Sequence, residues 1–395
     1  MDFSLNAEQK AWQEKARKFG LEVLRPASLK RDRILDPFAT WDWDIIKAGS
    51  KLGFRTSCVP KAYGGHEIDF VTQALVMAEL AKYDSAMSKA FSQCWKWSHL
   101  IANNCTEEQK KRFLTPFMAD DTFVLGMGST EHIGGSDNRL PPNNIKSGMR
   151  LSAVPDPDGE HWILNGEKAF IANGPVGKLF FLNARTDPNV MMRDGVTTFI
   201  VPKDTPGFRI GKVFNKSGWR FYQNAELIFE NAKVHKSQIL GEVNGAMKRS
   251  VGDNSGDMFG DLELAANALG FCDDAVETAI KVAKTRTQGG QPLKEQQHIQ
   301  LKINKMSMLT EALRSYVLRS AWEHDQKIKG TNAGLVMNYS TFVGQEVTEL
   351  YLDVCDQPGV ELDEHADKLV RDSFIWSHLA GDTVQQIRVA QKILK

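Results

Sequence analysis

The sequence predicts an α+β chain in three parts: an N-terminal helical domain (1–118), a middle β-barrel domain (119–242) and a C-terminal four-helix bundle (243–395). Three observations predict it. Apolar residues recur at helical spacing before residue 118 and again after Gly245. Between those regions, short β-type runs alternate with turn dipeptides. Within the β region lie two unusual stretches, Met127-Gly-Ser-Thr-Glu-His-Ile-Gly-Gly-Ser-Asp137 and Leu164-Asn-Gly-Glu-Lys-Ala-Phe-Ile-Ala-Asn-Gly-Pro175. Small residues with the hydroxyls of Ser129, Thr130 and Ser136 let backbone N–H groups approach a planar, hydrogen-bonding ligand. An ordinary pair of β-turns is the plainer reading.

In chain order, residues 6–26 read as an amphipathic helix with Asn6 as cap and Pro26 as terminator. Residues 41–52 form a helix ending at Gly53, and Thr40-Trp-Asp-Trp-Asp44 reads as its capped, aromatic-packed start. A turn-rich loop, Val59–Gly65, leads to helices over 68–83 and 85–103. Thr106-x-x-Gln109 is a capping box opening a helix over 106–117. The expected strands are Thr122–Met127, Met149–Val154, His161–Leu164, Leu179–Ala184, Thr197–Val201 and Ala225–Phe229, with turns at Asp158-Gly159, Asn165-Gly166 and Pro206-Gly207. Helices over 262–287, 293–329, 331–354 and 366–394 are long enough for an antiparallel bundle.

Bulk properties narrow the function. Lys+Arg and Asp+Glu both number 49, which argues against nucleic acid or an anionic membrane as main partner. Zero net charge removes self-repulsion and suits an oligomer. The five cysteines are scattered without CxxC or Cys/His spacing, so a reducing, cytoplasmic setting without structural zinc is expected. The N-terminus shows no signal-peptide pattern, and no apolar run reaches the roughly 18 residues of a membrane span.

Several motifs then fall in a telling order. Thr130-Glu-His-Ile-Gly-Gly-Ser-Asp137 looks like the Thr-Glu-Pro-Gly-Ala-Gly-Ser-Asp segment of the acyl-CoA dehydrogenase family of flavoproteins. Leu164-Asn-Gly-Glu-Lys168 and Phe170-Ile-Ala-Asn-Gly174 resemble its Leu-Asn-Gly-x-Lys and Trp-Ile-(Ser/Thr)-Asn-Gly. Gly218-Trp-Arg220, Glu226-Leu-x-Phe-Glu230, Leu240-Gly-Glu-x-Asn-Gly245, Arg286-Thr-Gln-x-Gly290 with Gln296-Gln297, and Lys368-Leu-Val-Arg-Asp372 resemble later family motifs. The likeness covers nearly the whole chain, and joint order and spacing carry it.

The resemblance implies an FAD site lined by Met127, Ser129, Thr130, Ser136, Phe170, Ile171 and Ala172, with Asp382 and Val384 beside it. Phe170 takes the place of an aromatic residue near the isoalloxazine, and Ala172 a place that usually carries a hydroxyl. Arg286 and Gln297 would reach the pyrophosphate of a neighbouring subunit, which requires an oligomer, typically a dimer of dimers. Ser136, Asp261 and Gly381 are the positions implied for substrate. The implied chemistry is removal of the α-proton of an acyl-CoA by a carboxylate, with hydride passing to the flavin and electrons onward to an electron-transfer flavoprotein or similar acceptor.

The departures are specific. The family's usual base, a Glu after the Arg-Asp motif, falls on Ala380; the alternative Glu on the first long C-terminal helix falls on Gly260. A neighbouring Arg is Asp261, and a Gly-Gly-x-Gly turn is Asp356-Gln-Pro-Gly359. Asp261, Asp382 and His378 are the candidate substitutes. Each has a plainer reading: a cap or surface charge for Asp261, a helix cap for Asp382, a packed or surface ring for His378. Cys94-Trp-Lys-Trp-Ser-His99 would border the acyl pocket and suit a bulky or cyclic acyl group, or simply supply aromatic core with an exposed Lys. Glu131 belongs to the flavin motif and is a poor base. Three functions stay open: a dehydrogenase with a relocated base; a monooxygenase, decarboxylase or eliminase on the same fold; and a base-less subunit of a heteromeric dehydrogenase.

Overall fold

The computed structural model describes residues 4–140, 143–146, 148–247, 258–328, 333–356, 361, 365–379 and 382–394. Helices α1 (Ala7–Phe19), α2 (Arg25–Asp32), α3 (Trp43–Lys51), α4 (Phe70–Tyr83), α5 (Ser85–Asn104) and α6 (Glu107–Ala119) form the first region. Their starts follow local chemistry. Asn6 with Gln9, and Thr106 with Gln109, form reciprocal capping boxes, and Asp42, Asp69 and Asp84 cap α3, α4 and α5. Trp41 stacks on Phe221 with ring centroids 5.0 Å apart, as aromatic packing at the start of α3 requires.

Pro26 does not end a helix. A π-helical turn over Gly20–Leu24 follows α1 directly and leads into α2, and Pro26 lies in the first turn of α2, so the helical path continues past it. Gly20 is needed there, because a Cβ would lie 2.0 Å from the Tyr83 ring.

The middle region is a seven-stranded sheet: β1 (Leu125–Gly128), β2 (Ser152–Pro155), β3 (His161–Ala172), β4 (Leu179–Arg185), β5 (Val196–Pro202), β6 (Phe208–Val213) and β7 (Asn224–His235). Its order is β1-β4-β2-β3-β7-β6, with β5 also on β4. β4 is buried throughout because it serves two cores. Phe180 and Leu182 point into the core of the sheet, whereas Leu179 and Phe181 pack on the helices. Strands β3 and β7 extend well past the expected runs, and β6 has no counterpart among them. β6 pairs only β7 and contains Gly211 and a register shift, which weakens its period-two pattern.

After a second π-helical turn (Met258–Leu262) come α8 (Glu263–Thr285), a hairpin of β8 (Thr287–Gln288) and β9 (Gln291–Pro292), α9 (Gln297–Asp325) and α10 (Ala333–Cys355). The expected 366–394 helix is three pieces: α11 (His365–Ser373), α12 (Ile375–Leu379) and α13 (Thr383–Ile393), the last capped by Asp382.

All three regions meet at one buried knot. Lys368 Nζ lies 2.6 Å from Asp372 and 3.1 Å from Asp84, the cap of α5. Asp372 also accepts from the Trp219 backbone N–H at 2.7 Å. A Cβ at Gly218 would lie 2.3 Å from the Arg371 carbonyl, so this contact requires glycine.

Candidate functional site

The Gly/Ser segment starts on an edge. β1 pairs with β4 in the sheet, its other side faces the end of β3 through Asn173 Nδ2, which donates to the Leu125 carbonyl at 3.1 Å, and the chain runs from it into the short helix α7 (Ser136–Arg139). Glu131 pins the segment from behind. Its carboxylate accepts from the Arg150 and Leu151 backbone N–H groups at 2.7 and 2.9 Å and from Lys168 Nζ at 2.7 Å. Both partners of that ion pair are buried, and burial pushes the Lys168 amine down to about 8 against the pull of Glu131. The Thr130 carbonyl accepts from Ala169 N–H at 2.9 Å, which fixes the segment against β3. The Ser129 hydroxyl accepts from Asn183 at 2.9 Å, and a hydroxyl that accepts one bond can still donate.

Phe170 lies on the same wall. The β3–β7 register slips between Lys168 and Ile171, and Phe170 has φ +58°, a conformation rare for a bulky side chain. The slip leaves its ring 52% exposed and stacked on Phe214 at 4.2 Å. Ile171 is buried in the sheet, and Ala172 is half-buried. An exposed aromatic ring on a left-handed backbone, next to the hydroxyl-bearing Ser129–Ser136 segment that Ala169 N–H holds against β3, fits a planar ring system such as a flavin.

A second group of residues approaches from the C-terminal region. Gln385 on α13 is 3% exposed and donates to Asp261 Oδ2 in the π-helical turn. Its carbonyl oxygen accepts from Arg139 Nη2 at 2.7 Å and Arg388 Nη1 at 3.1 Å. Arg139 also pairs with Asp382 at 2.9 Å, and Asp382 caps α13 through Gln385 N–H at 2.8 Å. Arg139 is three residues past Ser136, so this chain of bonds ties Asp261 to the Gly/Ser segment. On the other side, a Cβ at Gly260 would meet Lys96 Nζ at 3.8 Å, and Phe259 packs on His99 with ring centroids 4.6 Å apart. The 94–99 stretch of α5 therefore borders this turn.

Three family models match the chain in order: acyl-CoA dehydrogenase N-terminal domain over residues 6–121, middle domain over 126–232 and C-terminal domain over 259–394. The chain belongs to the acyl-CoA dehydrogenase family. The short-chain specific acyl-CoA dehydrogenase of Megasphaera elsdenii is 30% identical, with 98% of each chain covered. The 3-(aryl)acrylate reductase of Clostridium sporogenes is 28% identical over 96% of this chain and 97% of that one. Among solved structures, a chain from work on the electron transferring flavoprotein of Acidaminococcus fermentans and flavin-based electron bifurcation superposes with TM-score 0.90 at 30% identity, covering 100% of both. As a family member the chain is a flavin-dependent oxidoreductase of acyl-CoA, and its cofactor is FAD.

Arg286, Gln297 and the altered turn are the residues expected on the adenosine side. Arg286 is held within its own chain, to Asp356 Oδ2 at 2.8 Å and the Cys355 carbonyl at 3.0 Å. Gln297 is exposed at the start of α9, a 29-residue helix without a side-chain cap. Such an N-terminus favours an anion. Asp356, which opens the turn expected to be altered, has a left-handed backbone, φ +56°. Residues 357–360 lie outside the described residues, as do Ala380 and Gly381.

The three candidate bases separate. The Asp382 carboxylate is occupied by its cap and by Arg139, the helix-cap reading. His378 is exposed on α12, the surface reading. Asp261 is half-buried and part of the network that reaches Ser136. Val384 is half-buried on α13, next to Gln385. Of the 94–99 stretch, Cys94 and Trp95 are core, and Trp97 stacks on Phe181 at 5.5 Å. Gln385 and Glu263 escaped the sequence reading. Glu263, one turn beyond Gly260, is buried against Lys89 Nζ at 2.5 Å and the Ser92 hydroxyl.

Proposed function

We propose that this chain desaturates the Cα–Cβ bond of an acyl-CoA carrying a cyclic or bulky acyl group, and that Asp261 is the base. The observation that supports Asp261 is its hydrogen-bonded connection through Gln385 to Arg139, beside Ser136 of the flavin segment. The same network occupies Asp382, and His378 faces solvent. Asp261 takes the α-proton, and the electron pair left on Cα delocalises onto the thioester oxygen. Backbone N–H groups and hydroxyls of the Met127–Ser136 segment orient the reacting face, and Phe170 shields it from water. Bound FAD would supply the acceptor for the β-hydrogen.

Trp97 and His99, half-buried and packed on the core rings of Phe181 and Phe259, are the aromatic side chains that would border a bulky acyl group. The oligomer proposed is a dimer of dimers. Leu301 and Met308 on α9 and Phe342 on α10 are exposed apolar side chains on the outside of the bundle, and Arg286 with Gln297 is offered to a neighbour's cofactor. The acceptor proposed is an electron-transfer flavoprotein or a similar carrier.

The test is anaerobic mixing of the FAD-loaded protein with saturated cyclic, aryl-substituted and straight-chain acyl-CoAs. Bleaching of the flavin with formation of the enoyl-CoA supports the reading. Absence of bleaching with every acyl-CoA, together with product formed only from reduced flavin and oxygen, overturns it.

A further inference from the structure

Helix α5 carries a half-buried stripe at helical spacing: Gln93, Lys96, Trp97 and Leu100. Its flanks are seated on different regions. On one side Lys89 and the Ser92 hydroxyl meet Glu263 of α8. On the other, Trp97 stacks on Phe181 of β4 with ring centroids 5.5 Å apart, and Gln93 reaches Tyr222 in the turn before β7. The stripe therefore looks into the gap between α8 and the sheet. Lys96 stands level with the Asp261 turn, where a Cβ at Gly260 would lie 3.8 Å from its Nζ. Gln93 is one helical turn, about 5 Å, from that level, towards the start of α5.

The Gln93 amide is oriented by its partner. The Tyr222 hydroxyl donates to Gln93 Oε1 at 2.6 Å. Tyr222 is buried, and burial, with Glu263 nearby, holds its hydroxyl well above the usual phenol range, so it stays a donor. The Tyr222 backbone is fixed as well: its carbonyl accepts from Lys216 Nζ at 2.5 Å, and its N–H donates to the Trp219 carbonyl at 3.1 Å. A flipped Gln93 amide would turn N–H groups on a buried hydroxyl and take the acceptor from its proton, which is costly. Oε1 is thereby committed. Nε2, at the opposite end of the amide, offers two N–H donors and no acceptor.

We propose that Gln93 is a specificity-determining residue, and that the acyl group this chain accepts carries an acceptor oxygen, a ketone or a carboxylate, a few bonds beyond Cβ; this rests on the reading that the acyl group lies along α5 beside the Asp261 turn. A hydrocarbon in that gap strips water from the Gln93 amide and returns no acceptor, whereas a carbonyl or carboxylate oxygen replaces the lost water. A site built to hydrogen-bond a group rejects the analogue lacking it far more sharply than an apolar pocket sorts chains by size. Trp97, one turn along the same face, supplies ring surface, so the acyl group is ring-bearing and oxygenated together.

The experiment uses the FAD-loaded oligomer and three ligands of one shape: 3-cyclohexylpropionyl-CoA and its 4-oxo and 4-carboxy ring derivatives. Calorimetry with the corresponding 2-enoyl-CoAs, which the oxidised flavin cannot oxidise at that bond, gives the dissociation constants. Anaerobic bleaching by the saturated compounds gives kcat/KM. The parent is expected to favour the oxygenated compounds at least tenfold in both readouts. Gln93→Met keeps the length and removes the amide, and is expected to bring that preference to within about threefold of unity. Tyr222→Phe frees the amide to flip and is expected to lower the preference by less, which covers the case in which Gln93→Met does not fold. Equal treatment of all three ligands by the parent, or a preference that both variants keep, overturns the assignment. A preference for the carboxylate alone that survives Gln93→Met gives the selection to the charge of Lys96 and overturns it too. Discrimination in binding without bleaching by any compound removes the dehydrogenase reading and upholds Gln93; bleaching by all three without discrimination does the reverse.

Discussion

A Cβ added at Gly260 would lie 3.8 Å from Lys96 Nζ, and no other atom among the described residues outside its chain neighbours and its own helical backbone lies within 4 Å. Gly260 is the position where the resemblance puts an alternative base, and among the described residues a flexible amine is what a side chain there would meet. A glutamate there would find that cation. Gly260→Glu in an Asp261→Asn background is therefore expected to restore α-proton exchange at least tenfold over Asp261→Asn alone. The restored base should be weak, because Lys96 stabilises its ionised form. Unchanged exchange in the folded, flavin-loaded double variant would show that the α-carbon does not sit against this turn.

Lys89 and Glu263 form a buried ion pair between α5 and α8, at 8% and 2% side-chain exposure. Removing one partner leaves a buried charge alone. Glu263→Gln or Lys89→Met is expected to cost about 3–5 kcal/mol, whereas Lys89→Met with Glu263→Leu should fall within about 1–2 kcal/mol of the parent. Urea denaturation of all four proteins closes the double-mutant cycle. Equal and additive losses would mean that the pair is not coupled.

These pairs also show where sequence reading stops. Caps and turns are local, so Thr106 with Gln109, a capped helix start within Thr40–Asp44 and the Asn173-Gly174 turn were legible from residue types alone, though not that Asp42 is the cap. The two π-helical turns were not, since a single glycine in Gly20–Leu24 or Met258–Leu262 does not distinguish a widened turn from an ordinary one. Asp382 had two readings in the sequence, and the contact with Arg139, 243 positions earlier, separates them. Glu263 looked like one more helical carboxylate because its cation lies 174 positions away. Gln385 carries no charge and belongs to no motif, so only the folded chain reveals that Asp261, Arg139 and Arg388 converge on it. Phe170 was marked by its motif, but its strained backbone and exposure required the β3–β7 register.

Arg286 donates to Asp356 at 2.8 Å, so an internal carboxylate competes with any phosphate for it. Asp356→Asn should relax that competition and tighten FAD binding several-fold, because the pair is exposed and weak. Arg286→Ala should weaken binding at least tenfold, and Arg286→Lys should recover only part of the loss, since an ammonium lacks the planar fork. Titration of FAD into apoprotein, with the oligomer checked by light scattering, measures all three. Identical affinities would place the pyrophosphate elsewhere.

Asp325, the last residue of α9, accepts from the backbone N–H groups of Phe70 and Val71 at 2.9 and 3.0 Å and so ties the bundle to the start of α4. Burial pushes its carboxyl up to about 6 despite those two donors, and Asp69 nearby adds to the rise. The folded chain therefore holds this proton to higher pH than the unfolded chain does. Between about pH 4 and pH 6 the native state binds more protons, so the contribution of Asp325 to stability falls as pH rises through that window and is lost above it. Asn at this position cannot titrate and supplies one acceptor oxygen in place of two. Asp325→Asn is expected to be clearly less stable than the parent at pH 4 and to approach it by pH 7. Urea midpoints for the two proteins at pH 4, 5, 6 and 7 give the difference directly. A gap that widens with pH would mean that the ionised carboxylate is the form α4 prefers.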